Sequence, residues 1–172
     1  FGGELARAGV CVISGLARGI DGIGQKAALE CGGSTCAVLG CGPDICCPPD
    51  DGRIYDGIRR HGAIISEYPP GTAPKAGLFP QRNRIIRGLA GLVLVIEARE
   101  KSGTLITVDT ALEQGKEVWA VPGRLTDSLS DGCNRLIWQG AVPALSPASV
   151  LETLRQLPYP ENAAAWQEQK GK

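Results

Sequence analysis

The chain has 172 residues, of which 43% are hydrophobic and 21% are charged, a composition typical of one globular domain and unlike that of a disordered tail or a coiled coil. No apolar run approaches the roughly 18 residues that a membrane-spanning helix needs, and no secretory signal opens the sequence, so no membrane partner is expected. The formal net charge is zero, but residues 72–124 hold eight Lys/Arg and five Asp/Glu. This local excess of +3 concentrates positive charge in the middle third of the chain.

Short apolar runs alternate with helical patterns along the chain. The opening FGGELARAG reads as a helix that ends near Gly9, and we expect a strand with a glycine-rich loop to precede it. The predicted strands are Val10–Ser14, Cys36–Leu39, Ala63–Ser66, Leu92–Ala98, Val118–Val121 and Ala141–Ala144. The further predicted helices are Asp21–Cys31, Arg53–His61, Gln81–Leu89, Leu105–Gln114, Gly132–Gln139 and Ala148–Leu157.

This alternation predicts an α/β fold. The run LVLVIEA at 92–98 is apolar at successive positions, as in a central strand of a parallel sheet. Strand and helix in alternation give right-handed βαβ units and an open, mostly parallel sheet with helices on both faces. Residues 1–157 are predicted to form this domain, and residues 158–172 to form a linker toward a further C-terminal domain.

The residues that usually carry catalysis or bind metals do not form a pattern here. Cys41, Cys46 and Cys47 have no second pair of ligands to complete a zinc site, and the seven cysteines are read as free thiols. The single histidine, His61, is read as structural and has no serine partner. The GCGPD turn lacks the third glycine of a dinucleotide fingerprint. We therefore predict no catalytic residue, no metal and no cofactor.

Ligands of an open α/β sheet gather beyond the carboxyl ends of its strands, so the loops that follow the strands are the candidate site. The loop SGLARGID after the first strand contributes Ser14, Gly15, Arg18 and Gly19. Because a helix N-terminus follows, free N–H groups and the helix dipole predict an anion site there. The alternative is a plain turn with an exposed arginine.

The loop after the third strand places an aromatic side chain among cations. Its candidate binding residues are Lys75, Phe79, Arg82, Asn83 and Arg84. Stacking on bases and charge for phosphates are what single-stranded nucleic acid requires. In the alternative reading, Phe79 fills the core and some of the arginines pair with Glu67 or Glu97.

Two further regions carry candidate interactions. The turn after the fourth strand, with Lys101, Ser102, Gly103 and Thr104, predicts a second anion site or an ordinary helix cap. Farther along, three large apolar side chains in a row cannot all face one core, so part of this surface is expected to meet a second subunit. The predicted interface residues are Leu136, Ile137, Trp138 and Val142.

Four motifs in order carry a family resemblance. They are SGLARGID, AVLGCGPD, SEYPPGTAPKAGLFPQRNRIIRGL and VIEAREKSGTLITVDTALEQGKEVWAVPG, and from about Gly9 to Ala144 the chain resembles the DNA processing protein A family (DprA/Smf). The resemblance implies a Rossmann-like, cytoplasmic, homodimeric protein that binds single-stranded DNA without hydrolysing it. It also implies protection of incoming DNA during natural transformation and loading of the recombinase RecA.

The resemblance also assigns roles to residues. It implies that Arg18 binds DNA phosphates, that Lys75, Phe79, Arg82 and Asn83 line the DNA pocket, and that Ser102, Gly103 and Thr104 form a second binding turn. The chain departs from the family where Cys47-Pro48 replaces a Tyr-Pro pair and where Asp50 or Asp51 replaces an asparagine.

Two rival functions remain open. Nucleotide phosphoribohydrolases of similar fold use a PGG-x-GT loop that is followed closely by a catalytic glutamate. Here Leu105, Ile106 and Thr107 follow Gly103-Thr104, so that glutamate is missing. The second rival is an interaction module with a vestigial pocket, against which the presence of Arg18 and Arg82 argues.

Overall fold

The structure is a computed structural model, and it describes residues 1–100, Val108 and residues 115–157. The predicted turn at 101–104, all of the predicted helix Leu105–Gln114 except Val108, and the predicted linker 158–172 lie outside the described residues.

The described elements alternate as predicted, with boundaries that agree within a few residues. In the first part they are α1 (Gly2–Arg7), β1 (Val12–Ser14), α2 (Ile20–Glu30), β2 (Thr35–Val38), α3 (Gly52–His61), β3 (Ala63–Ile65) and α4 (Leu78–Leu89). In the second part they are β4 (Leu92–Val95), β5 (Glu117–Ala120), α5 (Asp131–Trp138), β6 (Val142–Pro143) and α6 (Pro147–Gln156). A short 3₁₀ turn, Pro49–Asp51, precedes α3.

The strands that the structure describes form two parallel sheets of three strands each. One sheet has the order β1-β2-β3 and the other β4-β5-β6, with Ile13 opposite Cys36 in the first and Val93 opposite Val118 in the second. The α/β class, the parallel pairing and the helices are confirmed. The expectation of one continuous sheet differs from the structure, because β1 and β4 are not paired with each other.

Two helix boundaries show how local chemistry sets the elements. At the end of α1, Gly9 has φ +86°; its N–H donates to Ala6 O and the N–H of Val10 donates to Leu5 O, which is the Schellman arrangement. Helix α4 begins three residues earlier than predicted and takes in Pro80. Proline is tolerated there because N–H groups in a first helical turn have no partner within the helix.

Three apolar clusters form the core. The first lies between β2 and α3 and includes Leu16, Leu39 and Ile58. The second packs α5 on the β4–β5–β6 sheet around Val118 and Leu136. The third joins α1 to α6 through Leu5 and Val150, with Trp119 of β5 between them. Within the described residues, no helix is long and apolar enough to cross a membrane.

Candidate nucleic-acid interface

The turn after β1 is held by side chains that occupy its backbone donors. Asp21 Oδ2 accepts from the N–H groups of Gly15 (3.0 Å) and Ala17 (3.3 Å). The buried Gln25 accepts from Leu16 N (3.1 Å) and donates to Thr35 Oγ1 and Cys36 O. Three N–H groups of the turn are therefore already bonded to side chains, whereas the N-cap of α2, Gly19, has no side-chain cap.

Arg18 projects from this turn into solvent. Its side chain is 79% exposed, and its Nη2 lies 3.5 Å from Asp50 Oδ2, on a side chain that is itself 84% exposed. An ion pair this exposed contributes at most about 1 kcal/mol. Arg18 can therefore exchange Asp50 for a phosphate at little cost.

Arg82 is buried, with only 4% of the residue exposed. Its Nη1 donates to Gly15 O (2.7 Å) and to Val38 O, and its Nε donates to Asn83 Oδ1 (2.9 Å). Burial lowers the pKa of Arg82, while the nearby Asp21 carboxylate acts to raise it. The guanidinium thus joins α4 to the carboxyl ends of β1 and β2, and its position favours a structural role over direct contact with a ligand.

A glycine is required at position 15 because the buried Arg82 guanidinium leaves no room for a side chain, not because the backbone there is left-handed. A Cβ added at Gly15 would overlap the guanidinium of Arg82, whereas Gly15 is not among the glycines with positive φ. Gly19 is the conformational glycine of the turn, with φ +92° at the N-cap of α2. The sequence predicted tight turns at both positions, and only the structure separates the two causes.

Phe79 lies on the end of β2 beside Arg82. Its half-buried ring packs on the backbone of Gly40, where an added Cβ would come within 2.9 Å of Cδ1. The Arg82 guanidinium carbon is 5.9 Å from the ring centroid, in range of a cation–π contact. Lys75, three residues before the start of α4, is exposed. Part of the ring and an exposed cation thus share this edge of the sheet.

The remaining cations of α4 are paired or buried. Arg84 Nη2 forms an ion pair with Glu67 Oε1, as the alternative reading of the sequence anticipated. Arg87 is 8% exposed and has its own partner. Of the predicted binding cations that the structure describes, Lys75 and Arg18 are exposed, and the side chain of Arg18 is 79% exposed against 59% for Arg84.

The proline-rich loop that follows β3 is fastened to the loop that follows β2. Asp44 accepts from Gly71 N (2.9 Å), and Gly42 N donates to Thr72 O (2.8 Å). Ser66 Oγ donates to Cys41 O (2.6 Å) at the base of the loop. The loops at the carboxyl ends of β1, β2 and β3 therefore meet at one edge, as predicted.

Three cysteines in β2 and in the loop that follows it have raised pKa values. Burial raises the pKa of Cys36 to about 11, and it also raises the pKa of Cys41 and Cys46. Thiolates are the form that metals bind. Within the described residues, no three His, Cys, Asp or Glu side chains are grouped to hold a metal ion.

The predicted subunit interface divides into two parts. Leu136 is 2% exposed and lies in the core, so its assignment to an interface is wrong, and Ile137 packs against the same cluster. Trp138 is 85% exposed, and Val142 and Leu145 are exposed nearby in sequence. We call Trp138, Val142 and Leu145 the apolar patch, and its role in dimer formation stays a prediction.

Sequence patterns alone did not reveal the residues that fix the loops. Asp21 was identified as the first residue of the predicted helix Asp21–Cys31, and Gln25 and Asp44 were not singled out. Their signal was a polar residue inside or next to an apolar run. This signal indicates that a polar side chain is buried, but it does not indicate which backbone group that side chain bonds. The predicted turn at 101–104 lies outside the described residues and stays a prediction.

Comparison with known proteins agrees with this geometry. The family model for DNA recombination-mediator protein A matches residues 1–155. The chain is 47% identical to the DNA processing protein DprA of Streptococcus pneumoniae over 140 residues, which is 81% of this chain and 50% of that protein. It is 47% identical to the protein Smf of Escherichia coli over 152 residues, or 88% of this chain and 41% of that one. The chain thus spans about half the length of these curated relatives.

Two solved structures share the fold. The X-ray structure of DprA from Streptococcus pneumoniae matches with a TM-score of 0.81 and 41% identity, covering 91% of this chain and 56% of that one. DNA processing protein A from Helicobacter pylori, described for its single-stranded DNA binding mode, matches with a TM-score of 0.82 and 31% identity, covering 90% of this chain and 70% of that one.

Proposed function

The chain belongs to the DNA recombination-mediator protein A family, and from this premise we propose that it binds single-stranded DNA at the carboxyl ends of β1, β2 and β3. The observations that carry the proposal are the exposure of Arg18 and Lys75, in the loops that follow β1 and β3, and the contact of the half-buried Phe79 ring with Arg82. The single-stranded DNA binding described for the Helicobacter pylori relative supports it.

Phosphates would be bound by side-chain charge and by the N–H groups that begin α2, rather than by the N–H groups of the turn before it. Arg18 is exposed and bonded only to an exposed carboxylate, whereas the N–H groups of Gly15, Leu16 and Ala17 are occupied. A base would pack against the accessible part of the Phe79 ring. Stacking and charge carry little base information, so sequence preference should be weak.

Arg82 and Asn83 act in this proposal mainly as positioning residues. Arg82 bonds the turn that bears Arg18 through Gly15 O, and its guanidinium lies against the ring of Phe79. It therefore sets the distance between a phosphate contact and a stacking contact. Asn83 accepts from Arg82 Nε and orients the guanidinium.

The wider activity is a proposal at the level of the whole protein. We infer that the protein protects incoming DNA during natural transformation, loads a RecA recombinase and works as a cytoplasmic homodimer through the apolar patch, without hydrolysing DNA. Lys101, Ser102, Gly103 and Thr104 would add a second phosphate contact. The family membership supports this reading.

The decisive experiment is fluorescence anisotropy of a labelled oligonucleotide, single-stranded against duplex, across a salt series. We expect preference for the single strand and a log–log salt slope of about −3 to −4, as for roughly four to six phosphates. Arg18→Ala should weaken binding about tenfold for every sequence and reduce the slope by about 0.7. Arg59→Ala is the matched control, because Arg59 is also exposed and also pairs with a neighbouring carboxylate, Asp56.

Equal losses in Arg18→Ala and Arg59→Ala would remove Arg18 from the site and leave only a general charge effect. If a folded sample bound no single strand at all, the phosphoribohydrolase reading would be tested next. That assay would measure the release of free base from nucleoside monophosphates.

A further inference from the structure

A cluster of four side chains lies on the exposed side of α4, apart from the residues of the proposed site. Glu67 and Tyr68 are neighbours in the loop after β3, and Gln81 and Arg84 are exposed residues of α4. Residues three apart lie on the same side of a helix. The Tyr68 hydroxyl donates to Gln81 Oε1 (3.2 Å), and Arg84 forms an ion pair with Glu67. The loop is thus joined to the helix by two side-chain contacts, and we call these four residues the Tyr68 cluster.

Tyr68 is held both at its backbone and at its hydroxyl. Its backbone N–H donates to Ser66 Oγ (3.0 Å), and Ser66 Oγ in turn donates to Cys41 O (2.6 Å). Its hydroxyl is bonded to Gln81, and the residue is only half-buried. A fixed aromatic side chain with part of its surface in solvent binds a ligand without a large loss of side-chain entropy. Such a surface suits the stacking of a nucleobase.

The polar members of the cluster supply the other groups that bind a nucleotide. The side chains of Arg84 and Glu67 are 59% and 38% exposed. Ion pairs in such positions contribute little to stability, so a phosphate can replace the Glu67 carboxylate. Within the described residues, the Gln81 Nε2 amide has no hydrogen-bond partner, and it can donate to the edge of a base. The cluster therefore brings together a ring, a cation and an amide.

The cluster continues the row of contacts of the proposed site. The strand order is β1-β2-β3. Arg18 follows β1, Phe79 packs against the loop after β2, and Tyr68 follows β3. Because neighbouring strands lie about 4.8 Å apart, these contacts succeed one another across one edge of the sheet. Each end of the row carries an arginine that is paired with a partly exposed carboxylate.

We propose that the Tyr68 cluster is a second nucleotide subsite, in which a base stacks on Tyr68, its edge accepts from Gln81 and the adjoining phosphate binds Arg84. This inference rests on the proposed DNA binding and adds a course for the strand. Single-stranded DNA would cross the edge from the turn after β1, over Phe79, to the exposed side of α4. Two rings in succession would hold unpaired bases with little sequence preference.

The first test measures binding of a thymidine dodecamer and a thymidine trinucleotide to the 172-residue chain by fluorescence anisotropy. Tyr68→Leu removes the ring and should weaken binding of the dodecamer about tenfold, as for the loss of one stacked base. Tyr68→Phe keeps the ring and loses only the hydroxyl bond, so its affinity should stay within about twofold of that of the unchanged protein. The trinucleotide is too short to span both subsites, and its affinity should change less than about twofold in either variant. Equal losses in Tyr68→Leu and Tyr68→Phe would overturn the proposal, because they would show that the residue only fixes the loop.

Arg84→Ala tests the phosphate contact of the subsite. The log–log salt slope for the dodecamer should fall by about 0.7, as for one phosphate of a single strand. Arg60→Ala is the matched control, since Arg60 is exposed on α3 and its loss should leave the slope unchanged. An unchanged slope in Arg84→Ala, or an equal change in both variants, would overturn the subsite.

Photocross-linking of the unchanged protein requires no variant to fold. The probe is the dodecamer with iododeoxyuridine in place of one thymidine. On irradiation the modified base links to an aromatic side chain on which it is stacked, and mass spectrometry of the digested protein locates the link. We expect links to both Phe79 and Tyr68. Links to Phe79 without any to Tyr68 would overturn the second subsite and leave the proposed function intact, whereas no binding of a single strand at all would overturn both.

Discussion

The two sheets differ in what they bury. Around β1–β3 the structure buries polar side chains, namely Gln25, Thr35 and Arg82, and each is bonded to a backbone group of a strand or turn. The described core of β4–β6 is apolar apart from one thiol, and Trp138 lies outside it in solvent. Hydrogen bonds are directional and hold loops in fixed positions, whereas the hydrophobic effect does not fix the orientation of the groups that it buries. The first sheet is thus suited to present a site and the second to associate.

The largest effect is expected from Arg82→Ala, which tests whether directional bonds hold the first sheet. The change leaves Gly15 O and Val38 O buried without their donor, so we expect the free energy of unfolding to fall by about 2–4 kcal/mol. Chemical denaturation measures it. Arg84→Ala is the control, since its pair with Glu67 is exposed and should cost at most about 1 kcal/mol. Equal losses in the two variants would contradict the comparison.

Gly15→Ala tests the same contact from the other side. The added Cβ would overlap the guanidinium of Arg82, and we expect a loss of about 1–3 kcal/mol in unfolding free energy. Gly52→Ala, at the start of α3, meets no atom within 4 Å and should be neutral or stabilising. If the double variant Gly15→Ala/Arg82→Ala lost the sum of the two single losses, the two residues would act independently and the contact would be disproved.

Trp138→Ser tests the second sheet. If the apolar patch forms a homodimer, the dimer dissociation constant should rise about tenfold or more while the unfolding of the monomer changes little. Sedimentation equilibrium and denaturation give the two quantities. Leu125→Ser is the control, because Leu125 is 88% exposed and lies outside the patch. A dimer unaffected by Trp138→Ser would show that the interface lies elsewhere.

Asp50→Asn should give the smallest effect. It removes the carboxylate that competes with phosphate for Arg18, so single-stranded DNA affinity should rise about twofold. Asp56→Asn makes the same change in net charge beside Arg59 and serves as the reference in the anisotropy assay. An equal gain in affinity in both variants would mean that the effect comes from the change in net charge alone.

The sequence predicted the fold better than the pairing within it. Apolar runs located every described strand, although Leu92–Val95, expected to be a central strand, lies at the edge of its sheet and only Val95 in it is fully buried. The absence of pairing between β1 and β4 leaves no such signal in the sequence. Strands pair through backbone N–H and C=O groups, which nearly all residue types share. Helix α4 begins before the predicted Gln81 because Pro80 lies in its first turn, where the missing N–H of proline costs no helical hydrogen bond.

The site shows the same division. Composition located the cations and the aromatic, and the order of the strands brought their loops together. The burial of Arg82 could not be predicted, because it depends on Gly15 leaving room for the guanidinium 67 positions away in the chain. Such a fit between distant residues leaves no trace in local spacing. Likewise, the sequence could not show that Leu136 is buried and Trp138 exposed, because this depends on which face of α5 packs on the sheet.

Leu16 ties the shape of the proposed DNA-binding turn to the core beneath it. Among the described residues other than glycine, it alone has a positive φ, +52°, and its side chain is fully buried beside Leu39 and Ile58. The backbone strain, of order 1–3 kcal/mol, is offset by burial worth about 1.5–3 kcal/mol. A substitution that loosened that cluster would therefore remove the burial that offsets the strain. The proposed DNA-binding turn would then respond to changes in core residues that lie outside the site.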